Sequence, residues 1–439
     1  MSAAGPCNYT FLKIVKPSGH DEKNAGVEVE TKGKILGLDY YESVYSPMVT
    51  ANMVQFDTGN SVVDSRTGLR GTLKDALPLE GMEEVFFNVA TRYGDLNFLD
   101  IPMIVTGTPL SIDEPQKQVV NIPLVSEGAM ICAKKPLSNV YQEARISDIV
   151  EKILDEYDLI VNEVEATKNV DKVSGGHNSP LDVILGLCKK SFPADYEDPG
   201  YFFFETKSGY NFRSIDGMIT EGIRRIEENL DGYADSHTYK YFGSLDAKLE
   251  QVEGNDFKVL RPPLVKKDQD QLSALKHGKY NVRVCTLNTL THEYDEKIEN
   301  LLFNLETTLG DVQQEHVEDE DYCKSYTYVL NPGADEQGVS EKILNNPAEY
   351  EPMANMRYGM LHTQLIDVQV PCNVRLEAGD VIKLWLENIT QDEKLLSIYN
   401  QHRSGYYLIL NLCHHFDTDN SYTSMTLARD TYGLYANNY

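Results

Sequence analysis

The sequence predicts a mainly β protein, built of antiparallel β-barrels with an inserted α+β unit. Three observations carry that expectation. Short apolar and β-branched stretches recur at roughly 10–20 residue spacing with Gly and Pro between them, the grammar of barrels and sandwiches. One tryptophan stands against 27 tyrosines and 14 phenylalanines, a β-leaning aromatic balance. The hydrophobic period changes from two to about 3.6 at Pro136 and returns to two near the C-terminus. With 439 residues, 41% apolar and 25% charged, the composition is globular and the length ample for a buried core.

Residues 1–135 read as the first barrel. Tyr9–Val15 is short, aromatic and β-branched, and ends in Pro17-Ser18-Gly19. Val27, Val29 and Thr31 alternate with Glu28, Glu30 and Lys32, the mark of a half-buried strand. After the break at Tyr45-Ser46-Pro47, Met48–Asp57 is extended and Thr58-Gly59-Asn60 has turn chemistry. Val85–Val89, Ile101–Thr106, Val119–Val125 and Ala129–Ala133 complete the predicted strands.

Residues 136–219 read as a compact α+β unit. Ile146, Ile149, Val150, Ile153, Leu154 and Tyr157 make one apolar stripe at helical spacing. A second helix has Ser179 at its N-cap, Pro180 at its first position and Asp182 in its first turn. Leu181, Ile184, Leu185 and Cys188 form its apolar face, and Lys189-Lys190 suit its C-terminus. Tyr201–Thr206 and Tyr210–Ser214 then flank Lys207-Ser208-Gly209, a strong hairpin signal in which Gly209 is free to take positive φ.

Residues 220–345 hold remaining segments of the middle and the start of the second barrel. Arg261-Pro262-Pro263 reads as a linker, Glu315–Asp321 as a solvated acidic loop and Asn331-Pro332-Gly333 as a turn. A helix is expected near Tyr294–Asn304. Residues 346–439 read as the second barrel. A helix begins near Pro347 or Pro352 and runs to about Leu361, with Met353, Met356 and Met360 on one side. Extended residues follow to Val374, and Glu377-Ala378-Gly379-Asp380 turns the chain. A closing three-stranded meander takes in Ile382–Leu386, Gly405–Phe416 and Ser421–Arg429.

Charge excludes several functions. Sixty-eight acidic against forty basic residues leave a formal −28, unsuited to gripping nucleic-acid phosphates. The longest apolar runs, such as Tyr406–Leu410, fall far short of the ~20 residues of a membrane helix. Met1–Gly19 lacks the basic and apolar regions of a signal peptide, so an uncleaved N-terminus is expected. The cysteines Cys7, Cys132, Cys188, Cys285, Cys323, Cys372 and Cys413 include no CxxC pair and read as reduced, mostly buried thiols.

The motifs of catalysis are missing: no GxSxG and no GxxxxGK[ST]. Gly68-Leu69-Arg70-Gly71-Thr72 reads as a loop. His292-Glu293-Tyr294-Asp295-Glu296 lacks the second histidine of a zinc helix. His414 and His415 are adjacent in a predicted strand and so point to opposite faces, one packed and one on the surface. Asp417, Asp419 and Asn420 fit a hairpin turn better than a calcium loop. The methionine stripe reads as core filling, and Phe202-Phe203-Phe204 as a strand buried on both faces. No catalytic residue, cofactor or metal site is expected.

Three stretches resemble the central baseplate hub proteins of contractile-tail, T-even-type bacteriophages. The first is Tyr40–Asp57 followed by Leu77-Pro78-Leu79-Glu80-Gly81-Met82-Glu83 leading into Glu84–Phe87. The second, and most specific, is His177–Ser191, which carries the helix capped at Ser179, followed by Tyr201–Ser214 with its FFE…GYNFRS hairpin. The third is Leu376-Glu377-Ala378-Gly379-Asp380 through the closing meander. Together they cover about half the chain, and the stretch 220–345 matches nothing residue by residue.

The resemblance implies two tail-tube-like barrels per chain and a homotrimeric ring. Three chains then present six near-equivalent barrels, adapting a six-fold tail tube to a three-fold central spike. Implied partners are the central spike protein, tail tube or tube-initiator proteins, the tape measure protein and the baseplate wedge. Double-stranded DNA would pass through the bore without specific binding, in a virion tail baseplate assembled in the host cytoplasm. Part of the acidic charge is expected to line that bore and repel the duplex. Two other readings are a hub fused to a cell-wall hydrolase, with room for one only in 220–345, and a hub or spike component of a related contractile injection system.

Overall fold

The computed structural model describes residues 6–17, 28–30, 35–58, 62–63, 68, 70–73, 79–114, 117–241, 257–268, 270, 272, 281–289, 291–300, 308–309, 324–330, 334–335, 338–339, 347–387, 399–400 and 402–431. The expected turns at Gly59-Asn60 and Asn331–Gly333, the acidic run Glu315–Asp321 and Cys323 lie outside the described residues.

The first barrel comprises β1 (Asn8–Val15), β2 (Ile35–Ser43), β3 (Thr50–Asp57), β4 (Glu84–Thr91), β5 (Gly94–Val105) and β6 (Lys117–Ser126). Its sequence logic is alternation. Along β3, Ala51, Met53, Gln55 and Asp57 are buried while Asn52, Val54 and Phe56 are half-buried on the other face. The inward set meets Leu12 and Ile14 of β1 and Val85, Phe87 and Val89 of β4 in one core. Phe87 and Ile14 are fully buried, each worth roughly 1.5–3 kcal/mol of apolar transfer. The turn before β4 is held by Glu83, whose carboxylate accepts from the Glu80 and Gly81 amides at 2.9 and 3.0 Å.

A helix, α1 (Glu127–Lys134), leaves this barrel, and with it the expected strand Ala129–Ala133 is corrected. Ala129 and Cys132 bury themselves at i,i+3 spacing, a pattern that so short an apolar run does not distinguish from a strand.

The inserted unit holds β7 (Val140–Arg145), α2 (Ile146–Glu156), β8 (Val161–Val164), β9 (Val170–Ser174), α3 (Pro180–Cys188), β10 (Tyr201–Thr206), β11 (Gly209–Ser214) and α4 (Ile215–Glu227). The α2 stripe Ile146, Ile149, Val150, Ile153 and Leu154 is wholly buried, as its spacing predicts. Ser179 sits at the N-cap of α3 with extended backbone, though its hydroxyl makes no capping bond. The hairpin β10–β11 turns at Gly209, with φ at 123°, where a Cβ would lie 2.6 Å from the Ile160 carbonyl oxygen. Phe203 belongs to this unit's core, whereas Phe202 and Phe204 point into the core shared with the second barrel. The strand is thus buried on both faces.

A short helix α5 (Tyr233–His237) leads to β12 (Thr238–Tyr241) and β13 (Leu264–Lys267). A separate three-stranded sheet follows, β14 (Asn281–Asn288), β15 (Tyr294–Asn300) and β16 (Lys324–Leu330). The helix expected near Tyr294–Asn304 is therefore corrected: Tyr294–Asn300 pairs antiparallel with β14, Tyr294 opposite Leu287. Exposed charged residues on an edge strand carry no clear period, so pairing decides its conformation.

Helix α6 (Pro347–Leu361) buries Met356 and Met360, with Met353 half-buried, against Val282 and Val284 of β14. The chain closes with β17 (Gln364–Pro371), β18 (Val381–Leu386), β19 (Gly405–Phe416) and β20 (Tyr422–Arg429). The meander β18–β19–β20 forms as read, and β17 adds antiparallel to β20. β12 joins β18 in parallel and β13 joins β17 antiparallel, so these two strands of the poorly legible middle belong to the second barrel.

Candidate functional site

The first barrel's β2 pairs antiparallel with the second barrel's β19, from Leu38–Phe416 to Ser43–Asn411. Among the described residues, one fourteen-stranded sheet therefore runs through both barrels; within it Leu110–Glu114, β6, β3, β2, β19, β20, β17 and β13 form a strip of eight successively paired strands, while from β6 the sheet also continues through β5, β4 and β1 to residues 28–30. The strip's two ends are Leu110–Glu114, paired to β6, and β13, paired to β17. Leu110, Ile112 and Leu264 on those edge strands are 76%, 70% and 62% exposed. Natural proteins shield or pair such edges, and exposed apolar edge residues invite another strand.

The centre of the strip is locked from its buried side. Glu42 of β2 is buried, and its Oε1 accepts from the Lys207 amide at 2.8 Å and the Tyr40 hydroxyl at 2.9 Å. Its Oε2 accepts from the Ala378 amide at 2.9 Å. One carboxylate thus ties the first barrel, the tip of the β10–β11 hairpin and the turn before β18. Burial, with the Glu377 carboxylate nearby, pushes Glu42 up to about 8 despite these donors. Lys207 Nζ lies 3.3 Å from Glu377 and also reaches the Val374 carbonyl, while Ser208 donates to Glu377 at 2.6 Å. Glu205, on the same hairpin, accepts from the Val49 amide at 2.9 Å and is raised to about 7 by burial.

A second lock joins the helices to the chain end. Arg357 of α6, fully enclosed, donates to Asp216 at 2.7 Å and to Asp430 at 2.9 Å. Asp430 also accepts from the Leu309 amide at 2.9 Å. Burial, then repulsion from Asp216, pushes the nearby Asp198 up to about 7. Removing charge from such a pair leaves its partner stranded in a low-dielectric interior.

The candidate chemical residues take structural places. His414 points into the core, its Nδ1 2.8 Å from the Thr423 hydroxyl, and burial pulls it down to about 3. His415 points to the opposite face beside the Asp39 carboxylate. Asp417 stands in the β19–β20 turn, its carboxylate accepting from the Asp419 amide at 3.3 Å. His292 occupies an exposed turn with φ at 60°. Ser236, His237 and Asp380 do line up, at 2.8 and 3.4 Å, in a set the sequence did not single out. Ser236 and His237 are buried and Asp380 is half-buried, and the Ser236 hydroxyl donates to the Tyr233 carbonyl, so no open nucleophile results. Among the described residues, no group of three His, Cys, Asp or Glu side chains is arranged to hold a metal. The described cysteines are free thiols, all buried except half-buried Cys413.

No protein-family model matches the sequence, and no curated protein matches it either. Solved structures do. A tail protein from Neisseria meningitidis MC58 is similar over 96% of this chain and 97% of its own, with a TM-score of 0.51 and 10% identity. The 43 kDa tail protein of prophage MuSo2 from Shewanella oneidensis is similar over 96% and 98%, with a TM-score of 0.50 and 6% identity. At such identities the shared property is architecture, and it spans nearly the whole chain in both comparisons. The chain has the mainly antiparallel β fold of phage tail proteins, with an α+β unit set between two barrels.

Proposed function

We propose that this chain is the structural hub of a phage tail baseplate. Three copies form a ring that adapts a six-fold tail tube to a three-fold central spike and leaves a bore for DNA. The carrying observation is the strip of strands shared by both barrels, with an edge strand at each end. The antiparallel β2–β19 junction shows how one barrel's strip accepts the next. Leu110–Glu114 and β13 are the corresponding ends, one on each barrel, and they offer the same kind of junction between chains. Such a head-to-tail contact closes into a ring when the rotation per chain divides the circle. Three chains of two barrels then give six near-equivalent positions.

In this reading the role is mechanical and involves no catalysis. The partners are the spike below, tube or tube-initiator proteins above, and the tape measure and wedge proteins around the hub, in the virion tail. The test is the solution mass of the purified protein and of an L110D/I112D variant. The reading expects three chains of 49.6 kDa per particle, and monomers of unchanged circular dichroism for the variant. A wild-type monomer in the presence of tail partners, or a variant that assembles normally, would overturn it.

A further inference from the structure

The second barrel encloses a charge whose needs its own residues leave partly unmet. Arg429 ends β20 with the inward parity of Met425 and Leu427, and its side chain is fully buried. Its Nη1 donates to the Ser404 carbonyl at 3.0 Å, and its Cζ stands 5.6 Å from the centre of the Tyr407 ring. Nε and Nη2 have no hydrogen-bond partner, and among the described residues no carboxylate pairs with the guanidinium. Thr431 Oγ1, two residues on, is buried and likewise unpaired.

Arg357, enclosed to the same degree, shows what is missing: it sits between two carboxylates, Asp216 and Asp430. A guanidinium cannot shed its proton to escape burial, and an uncompensated buried charge is costly. Nε–H and the Nη2–H beside it also form an edge whose two parallel donors match a carboxylate bidentately. The neighbouring groups leave that edge open. Gln364, opposite Arg429 on β17, commits its Oε1 to the Tyr407 hydroxyl and its Nε2 to Asp268 and the His402 carbonyl. Asp268 lies 3.8 Å from Arg403, and these two side chains are 35% and 40% exposed, so solvent begins one layer away.

We infer that Arg429 is the floor of an anion site at the mouth of the second barrel, and that its ligand is a single carboxylate held by Nε and Nη2. The inference stands apart from the ring reading. Chloride and water fit this edge less well, because neither presents two coplanar acceptor atoms. Arg403 and Asp268 are the side chains that swing aside for entry. A bound carboxylate braces β17, β19 and β20, whose Gln364, Tyr407 and Arg429 meet there.

Formate is the probe. The purified protein is titrated with sodium formate in a low-anion buffer, with sodium chloride of equal ionic strength as the control, and its thermal midpoint is followed. Arginine Nε–H signals are followed in parallel by proton–nitrogen correlation spectra, in which Arg429→Lys identifies the Arg429 signal by its loss. The inference expects a saturable rise in midpoint, half-complete at roughly 1–100 mM because three heavy atoms support little tighter binding, and a shift of the Arg429 signal over the same range. Arg429→Lys keeps the charge but loses the parallel donors, and should weaken formate by ~10-fold or more. Acetyl-aspartate amide tells the sources apart: competition with formate assigns the fork to a protein-borne carboxylate, and exclusion assigns it to a small free one. Equal effects of formate and chloride, an unmoved Arg429 signal, or an unchanged response in the variant would overturn the site and leave buried water as the partner of the two donors. If the lysine variant does not fold, a parent spectrum in which no buried Nε–H signal moves with formate overturns the site by itself.

Discussion

Replacing Glu42 by alanine tests the seam most severely. The substitution removes the acceptor of three donors at once: the Lys207 amide, the Ala378 amide and the Tyr40 hydroxyl. A buried donor left without a partner costs about 1–3 kcal/mol, so for three donors the expected loss is about 3–9 kcal/mol. That is a large share of the roughly 5–15 kcal/mol typical of a folded domain. Glu42→Gln keeps one carbonyl acceptor and should cost about half as much. The assay is urea unfolding followed by circular dichroism and by the fluorescence of Trp385, which stands in β18 of the second barrel. Because Glu42 bridges two barrels and the hairpin, the two probes should separate in the alanine variant and coincide in the parent. A loss below about 1 kcal/mol, or equal losses for alanine and glutamine, would refute the seam's energetic role.

Three further outcomes follow from the same structure. Glu42 is held at about 8, and Glu205 and Asp198 at about 7, in each case first by burial. The unfolded chain sheds these protons near pH 4 while the folded chain keeps them, so stability should fall as pH rises from about 4 to about 8. Melting temperatures that climb over that window would contradict the assignment, and Glu42→Gln should flatten its upper part. Arg357→Ala strands Asp216 and Asp430 in the interior and should cost about 3–5 kcal/mol in denaturant unfolding, whereas a near-neutral result would mean that the pair is not enclosed. Gly209→Ala combines positive φ with a clash on the Ile160 carbonyl and should lose about 1–3 kcal/mol, measured as a lower unfolding midpoint, while an unchanged midpoint would place the turn elsewhere.

Elements with a strong period and clear ends were legible. The α2 stripe and the β10–β11 hairpin emerge where their spacing and turn residues put them. Helix α4 was not read, although Ser214 caps it by accepting from the Gly217 amide at 2.9 Å, and Ile215, Met218, Ile219, Gly222 and Ile226 carry its buried side. That signal stood directly behind the hairpin and was masked by it. Ala129–Ala133 misled because four or five apolar residues fit either period. The seam lay beyond local reading altogether. Glu42 meets Lys207 across 165 residues and Ala378 across 336, and nothing in the sequence near Glu42 marks it as buried and shared. The edge strands were equally silent, since Leu110 and Ile112 look like any alternating strand until their missing neighbour is seen.

Averaged electron micrographs of the purified particle test the central claim most directly. The account predicts a closed ring of three chains, showing six similar lobes around an open centre. A single-chain particle, or a multimer without a central opening, would contradict it.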